Sequence, residues 1–158
     1  MSAADSSGAP PALVREAAPD ELVAASEIVR AAGLPLDGLA LAAVLLVAEA
    51  DGAIVGTVAL ERHGTGAATA YLLRSAAVTA AWRGRGIGAQ LTAAALQRVD
   101  AVAAPVALLT ETAEGYFRRY GFQPVDRAGL PRALDASAEL GGACPASARA
   151  MMRPPTPR

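Results

Sequence analysis

The chain contains no lysine, because all fourteen of its basic residues are arginine. A P-loop nucleotide site and a Schiff-base mechanism both need a lysine, so both are excluded. Fifteen acidic residues give a formal net charge of −1, and aromatic residues make up only 4% of the chain. Nucleic-acid binding calls for a basic surface, so we expect no nucleic-acid partner.

Cysteine, histidine and long apolar segments are equally scarce. Cys144 is the one cysteine of the chain and His63 its one histidine, so we expect no internal disulfide and no metal site. We expect Cys144 to be a small buried apolar residue. The most apolar run, residues 39–48, falls far short of the roughly 20 residues that span a bilayer. The polar N-terminal segment MSAADSSGAPPA lacks a secretory-signal pattern, so we expect a cytoplasmic protein with no membrane partner.

Length and periodicity predict one mixed α/β domain. We place its core at about 12–152 of the 158 residues, with flexible segments at 1–11 and 153–158. Asp51-Gly52 between two β-branched runs is typical of a tight β-hairpin. In chain order we predict a strand at 13–16, a helix at 19–33, the hairpin, a strand at 68–78, a helix at 88–101, a strand at 104–110, a short helix at 112–121, a strand at 122–126, a helical turn at 130–136 and a strand at 146–152.

Residues 80–97, AAWRGRGIGAQLTAAALQ, join a glycine–arginine turn to the start of an amphipathic helix. The unpaired N–H groups and the dipole at a helix N-terminus favour an anion. Glycines allow close backbone approach, and Arg83 and Arg85 add charged donors. This context favours a phosphate-bearing ligand over a simple turn.

A dinucleotide-binding fold is the main alternative, since Gly84, Gly86 and Ala89 satisfy the pattern G-x-G-x-x-A. In that motif the first glycine directly follows its strand, whereas residues 79–83 intervene here. The motif also lies mid-chain, with too few residues after it for a six-stranded sheet. The upstream hairpin has no place in a parallel doubly wound half, so this alternative fails.

What remains is the pattern (Gln/Arg)-x-x-Gly-x-(Gly/Ala), formed by Arg83, Gly86 and Gly88. Preceded by SAAVTAAW and followed by an amphipathic helix, it resembles the acetyl-CoA-binding motif of the GNAT superfamily of N-acetyltransferases. The resemblance extends from about Leu13 to Phe122 in element order, and YFRRYGF is similar to the superfamily's last signature. It implies an α/β (α+β) fold with a mixed, mostly antiparallel sheet. Helices would flank this sheet, which would splay between its fourth and fifth strands.

The same resemblance implies acetyl-CoA as co-substrate and no metal. The strand that ends at Val78 would pair with the pantetheine amides, and the N–H groups of residues 84–89 would hold the pyrophosphate. The implied acetyl-CoA-binding residues are Ala76, Ala77, Val78, Arg83, Gly84, Arg85, Gly86, Ile87, Gly88 and Ala89.

Three segments indicate a more specific resemblance within the superfamily. LLRSAAV, LLTETAEGYFRRYGF and ACPASARAMM resemble acetyltransferases found in arsenic-resistance gene clusters, and the first two also resemble N-acetylglutamate synthase-type enzymes. This implies acetylation of the primary amine of a small amino-acid-like acceptor, for example an arsenic- or phosphorus-containing glutamate analogue. A homodimer stays open, and so does a catalytically weak acyl-CoA-binding or regulatory module.

Arg74, Thr110 and Thr112 are the predicted acceptor-binding residues. Strand alternation would place Arg74 on one face with Ala76 and Val78, where its guanidinium could bind an oxyanion. A structural ion pair is the alternative for Arg74. The two threonines match the LTxT of the related enzymes, and they could instead cap the short helix.

No residue stands out as the catalytic acid. The tyrosine that protonates the leaving thiolate in many superfamily members corresponds to Phe117 here. Tyr116 lies roughly 100° away from it around the helix, and Tyr120 is expected to pack. Thr110, Glu111 and Tyr116 are therefore only weak catalytic candidates.

Glu61, His63 and Glu111 are the candidate bases. A cross-strand ion pair with Arg74 is the simpler expectation for Glu61, and a solvated loop position is simpler for His63. An acidic residue in the first turn of a helix is the simpler expectation for Glu111.

Overall fold

The computed structural model describes residues 12–156, and the expectations for residues 1–11 and 157–158 lie outside them. One seven-stranded sheet has the order β1-β2-β3-β4-β5-β7-β6. Its strands are β1 (Leu13–Glu16), β2 (Val44–Ala50), β3 (Ala53–His63), β4 (Ala70–Val78), β5 (Val106–Thr110), β6 (Gln123–Val125) and β7 (Arg149–Arg153). The α-helices are α1 (Leu22–Ala31), α2 (Ile87–Ala101) and α3 (Glu114–Arg118).

The predicted mixed, mostly antiparallel sheet is confirmed. Strands β4 and β5 run parallel, and their register pairs only Tyr71 with Val106 and Leu72 with Ala107. Beyond these pairs the two strands part, which agrees with the expected splay between the fourth and fifth strands. The other neighbouring strands in the described sheet are antiparallel.

The hairpin between β2 and β3 is also confirmed. Asp51 and Gly52 have φ angles of 52° and 76°. Positive φ at both central residues defines a type I′ turn, whose twist matches that of the flanking strands. Local turn chemistry therefore determines this part of the sheet.

A bulge in β4 changes which side chains share a face. Ser75 has a φ of 58°, and the β3–β4 register slips beside it. The Thr57 hydroxyl donates a 2.7 Å hydrogen bond to the Ser75 carbonyl and so holds the bulge in place. The expectation that Arg74 shares a face with Ala76 and Val78 is wrong, because the extra residue breaks the alternation. Ala76 and Val78 pack against the core beneath α2, whereas Arg74 lies on the opposite face of β4.

Strand β7 lies between β5 and β6, a position that sequence analysis left unassigned. Arg153, at its end, forms a 2.7 Å ion pair with Asp100 at the end of α2. Thr156 donates a further 2.8 Å hydrogen bond to the same carboxylate. These contacts join the C-terminal part of the described chain to the helix that begins at the glycine–arginine turn.

Helix α2 packs closely on β3 at Gly56. A Cβ added to Gly56 would lie 2.9 Å from Leu91 Cδ1 and 3.3 Å from Ile87 Cγ2. Both neighbours are buried, so neither can move away freely. We expect Gly56→Val to lower the free energy of unfolding by about 1–3 kcal/mol through overpacking.

Gly115 supplies the matched control for this prediction. It lies inside α3, and an added Cβ would meet no atom within 4 Å. Gly115→Ala should raise the free energy of unfolding by about 0.5–1 kcal/mol, because alanine favours the helix. Urea titration measures both variants, and a Gly56→Val protein as stable as wild type would contradict the close packing of α2 on β3.

Candidate functional site

Two cavities lie on either side of the point where β4 and β5 part. They meet at Ala76, Ala113 and Phe117, which line both of them. The α2 cavity, of about 490 Å³, is lined by Thr57 and by residues from the segments 76–92 and 113–119. The C-terminal cavity, of about 650 Å³, is lined by residues from the segments 32–37, 73–76, 108–117 and 139–148.

The N-terminal end of α2 opens into the α2 cavity. Gly84 and Gly86 have φ angles of 78° and 82°, which residues with side chains rarely adopt. A Cβ at either glycine would meet no atom within 4 Å, so the space beside the turn is open. None of the described side chains caps this helix. Its first N–H groups and its dipole therefore suit an anionic group such as a pyrophosphate.

Arginine side chains add positive charge around this end of the cavity. Arg83 and Arg119 line it, and Arg83 Nε donates a 3.0 Å hydrogen bond to the Val78 carbonyl. Arg85 instead stacks on the Trp82 ring, with its guanidinium carbon 4.5 Å from the ring centroid. Charge-assisted donors and a helix dipole thus act on the same region.

Except for Arg85, the predicted acetyl-CoA-binding residues line the α2 cavity; their role in binding stays a prediction. Helical spacing places Leu91 and Thr92 near Gly88 and could have found them. Thr57 on β3 had no such signal, because the tertiary fold brings it there, and Tyr116 and Phe117 on α3 entered the sequence analysis only in connection with the catalytic acid. The lining residues that sequence analysis did not connect with the cofactor are Thr57, Trp82, Leu91, Thr92, Ala113, Tyr116, Phe117 and Arg119.

The aromatic residues of α3 separate into two roles. Phe117 is buried where the two cavities meet, and Tyr116 lines only the α2 cavity. The Tyr116 hydroxyl lies 3.4 Å from Thr92 Oγ1 and 3.2 Å from the Tyr120 hydroxyl. Burial, together with the hydrogen bond to Tyr116, raises the pKa of Tyr120 to about 12. This hydroxyl therefore stays protonated at neutral pH.

The Tyr116 hydroxyl points to Thr92 and Tyr120, so we expect that Tyr116 is not the general acid and that Tyr116→Phe lowers turnover less than about tenfold. Loss of a general acid would lower turnover by about a hundredfold or more. Phe117→Tyr should also leave an active enzyme. Steady-state release of coenzyme A thiol measures both variants. A hundredfold loss in folded Tyr116→Phe would show that Tyr116 is the acid.

The predicted threonines and Glu111 line the C-terminal cavity. Thr110 Oγ1 accepts a 3.0 Å hydrogen bond from the Ala113 N–H, at the start of α3. Glu111 is exposed, and one of its carboxylate oxygens accepts a 3.3 Å hydrogen bond from Ser147 Oγ. Thr110 therefore supports the start of α3. The catalytic roles of Thr110 and Glu111 stay predictions, and so do the acceptor-binding roles of Thr110 and Thr112.

Arg74 lies at the centre of a buried polar cluster. Its Nη1 donates hydrogen bonds to Glu61 Oε2 at 2.7 Å and to the Asp37 carbonyl at 2.6 Å. Its Nη2 donates to the Pro35 carbonyl at 3.0 Å, and its Nε lies 3.3 Å from Glu139 Oε2. The ion pair with Glu61 is confirmed. Arg74 thus holds the loop before β2 against the sheet, while its acceptor-binding role stays a prediction.

Glu61 and His63 form the inner end of this cluster. His63 Nε2 lies 2.7 Å from Glu61 Oε1, and the histidine side chain is only 19% exposed. The expectation of a solvated loop histidine is wrong, because His63 is the last residue of β3 and faces Glu61. Burial acts to raise the pKa of Glu61, but hydrogen bonds from His63, Arg74 and Ser137 outweigh burial and lower it. An ionised, fully paired carboxylate is poorly suited to act as a base.

Glu139 and Cys144 form the outer end, toward the C-terminal cavity. Sequence analysis missed Glu139, and it correctly predicted that Cys144 is buried. Burial raises the pKa of the Glu139 carboxyl, although the charge of Arg74 acts to lower it. Burial also raises the pKa of the Cys144 thiol to about 12, with a further contribution from Glu139.

Residues 42–124, more than half of the chain, match the sequence profile of the family described as acetyltransferase (GNAT) domain. The chain therefore belongs to the GNAT acetyltransferase family. This class consists of acyltransferases, and acetyl-CoA is their co-substrate.

Solved structures share this fold. N-Acetylglutamate synthase from Neisseria gonorrhoeae, complexed with coenzyme A and N-acetyl-glutamate, matches with a TM-score of 0.75 and 18% sequence identity. The match covers 92% of this chain and 35% of the synthase chain. An acyl-CoA N-acyltransferase from Pseudomonas aeruginosa matches with a TM-score of 0.65 and 23% sequence identity. The match covers 90% of this chain and 97% of the Pseudomonas chain. A GNAT family acetyltransferase from Brucella melitensis, in complex with acetyl-CoA, matches with a TM-score of 0.56 and 28% sequence identity. The match covers 71% of this chain and 82% of the Brucella chain. The chain therefore spans about a third of the synthase.

No protein with a curated description matches the chain significantly. Between residues 12 and 156, no helix is long and apolar enough to cross a membrane. In the same part of the chain, no group of three or more histidine, cysteine, aspartate and glutamate side chains is placed to hold a metal ion.

Proposed function

We propose that this chain is an acetyl-CoA-dependent N-acetyltransferase that acetylates the primary amine of a small amino-acid-like acceptor. One observation carries the proposal. The open N-terminal end of α2, with its positive-φ glycines, leads into a cavity that meets a second cavity where β4 and β5 part. Acetyl-CoA would occupy the α2 cavity, and the acceptor would occupy the C-terminal cavity. The proposed single N-acetyltransferase domain comprises residues 1–158, with its core at about 12–152.

The free edge of β4 supports this placement. In the described sheet, β4 pairs with β5 no further than Leu72, so the edge at 73–78 faces the cavities. An exposed strand edge binds an extended chain through its backbone groups, as the amides of a pantetheine arm would require. An N–H group near Val78 is suited to polarise the thioester carbonyl.

The chemistry then needs few side chains. The neutral amine attacks the thioester carbon, a C–N bond forms, and the C–S bond breaks. The amine loses one proton, and the thiolate of coenzyme A gains one. Because Phe117 and not a tyrosine lies where the cavities meet, we infer that the thiolate takes its proton from water.

The proposal extends to the chemical class of the acceptor. Arg74 and Thr110 line the C-terminal cavity, and a guanidinium fits an oxyanion. The narrower resemblance implies an acceptor with an acidic group, including arsenic- or phosphorus-containing glutamate analogues. The synthase complexed with N-acetyl-glutamate shares the fold, which makes L-glutamate a natural test compound.

Acceptor-dependent release of coenzyme A thiol tests the proposed function. The screen covers amino acids and the phosphonic, phosphinic and arsinic analogues of glutamate, with an acceptor-free reaction as control. We expect at least one amine to release thiol and to gain an acetyl group, as measured by mass spectrometry. Binding of acetyl-CoA without thiol release from any amine would support a regulatory module instead.

A further inference from the structure

The carboxyl group of Glu139 lies in the wall of the C-terminal cavity, where its partners are the Arg74 guanidinium and the Cys144 thiol. Its side chain is only 5% exposed. Arg74 Nε lies 3.3 Å away, but this nitrogen already donates a 3.1 Å hydrogen bond to Ser75 Oγ. Glu61, by contrast, holds Arg74 Nη1 at 2.7 Å. Two buried carboxylates, those of Glu61 and Glu139, therefore share the single guanidinium of Arg74, and the Cys144 thiol is only a weak hydrogen-bond donor to Glu139.

The charges around the C-terminal cavity point the same way. Arg74 is the one basic side chain among the described residues that line it, whereas Asp37, Glu111 and Glu139 are acidic. A buried carboxylate needs a cation or a set of hydrogen bonds to stay ionised. Burial raises the pKa of Glu139 and the charge of Glu61 adds to the rise, although the charge of Arg74 and the hydrogen bond with Cys144 act to lower it.

We infer that Glu139 binds the ammonium group of the acceptor, which then releases one proton to water so that the neutral amine can attack the thioester. The inference rests on the proposed function and names the residue that recognises the reacting group. An ammonium group supplies a second positive charge for the two carboxylates. Glu139 is the carboxylate of this cluster that lines the cavity, whereas Glu61 does not, so Glu139 is the one placed to accept hydrogen bonds from an ammonium group.

Glu61 provides the matched control. It also pairs with Arg74, yet it does not belong to the cavity lining. Glu61→Gln should lower the melting temperature because it removes the better-bonded partner of Arg74. Glu139→Gln should leave the melting temperature unchanged or higher at neutral pH, since a carboxyl whose pKa is raised by burial stabilises the fold less when ionised.

Two ligands that differ only in the ammonium group test the inference, namely L-glutamate and glutarate. Their affinities are measured by calorimetry in the presence of coenzyme A. Wild type should bind L-glutamate about tenfold or more tighter than glutarate, the size of one charge-assisted contact. Glu139→Gln should lose most of this preference, whereas Glu61→Gln should keep it. In thiol release, Glu139→Gln should raise the acceptor KM about tenfold and leave the acetyl-CoA KM within about twofold.

Two results would overturn the inference. One is a wild type that shows no preference for L-glutamate over glutarate. The other is a Glu139→Gln variant that keeps the preference and the acceptor KM. A failure of the proposed function looks different, since wild type would then release no thiol with any amine of the screen.

Discussion

Arg74→Ala should lower the free energy of unfolding by about 3–5 kcal/mol, because it leaves buried carboxylates without their cation. The Arg74 side chain is fully buried, and Glu61 is 7% exposed. The substitution also frees the backbone carbonyls of Pro35 and Asp37, so the loop before β2 loses its attachment to the sheet. Urea unfolding at neutral pH measures the loss.

The effect should depend on pH. Since the hydrogen bonds to Glu61 lower its pKa despite burial, this group stabilises the fold above its ordinary pKa of about 4.3. That contribution disappears as the pH falls through the lowered pKa. The difference between wild type and Arg74→Ala should therefore be largest at neutral pH and should shrink in acid.

Arg98→Ala is the control for Arg74→Ala. Arg98 forms a 2.8 Å ion pair with Glu16, but the two side chains are 41% and 64% exposed. Its loss should cost no more than about 1 kcal/mol. An Arg74→Ala protein that is destabilised no more than Arg98→Ala would show that the buried cluster contributes little.

Acetyl-CoA should raise the melting temperature by several degrees, and NAD at the same concentration should not. A ligand at about 100 times its Kd adds roughly 2.7 kcal/mol to the stability of the folded state. In a domain of this size, each kcal/mol moves the midpoint by about 2–4 °C. Gly86→Val should remove most of the shift, because Gly86 has a φ of 82° and a branched side chain would block approach of the pyrophosphate.

Gly52→Val is the matched control for Gly86→Val. Gly52 has a φ of 76° and equally open surroundings, but it lies in the β2–β3 turn, away from the α2 cavity. Both variants carry the same kind of backbone strain, and only Gly86→Val should lose the shift. Arg85→Ala should weaken it in part, since backbone N–H groups supply most donors. A full shift in Gly86→Val would place the ligand elsewhere.

Local signals explain why so many of the elements could be predicted from the sequence. Asp51-Gly52 specifies its turn through two residues that tolerate positive φ. The apolar spacing from Ile87 onward determines the buried face of α2. The glycine–arginine turn is equally local, which is why about half of the α2 cavity's lining could be predicted.

Features that depend on distant residues were not predictable in this way. The place of β7 between β5 and β6 depends on pairing between strands that are far apart in the chain. The bulge at Ser75 depends on the Thr57 hydroxyl of the neighbouring strand, and it reversed the expected face of Arg74. Glu139 had no motif of its own, and only the fold brings it to Arg74. The contacts around the C-terminal cavity therefore required the structure.

A crystal structure of the chain with acetyl-CoA tests the central claim most directly. The pyrophosphate should accept hydrogen bonds from the N–H groups at the start of α2, between Gly86 and Ala89. The pantetheine arm should run along the free edge of β4, and the thioester should lie beside Ala76 and Phe117, where the two cavities meet. Acetyl-CoA bound away from the N-terminal end of α2, with its thioester outside both cavities, would contradict the account.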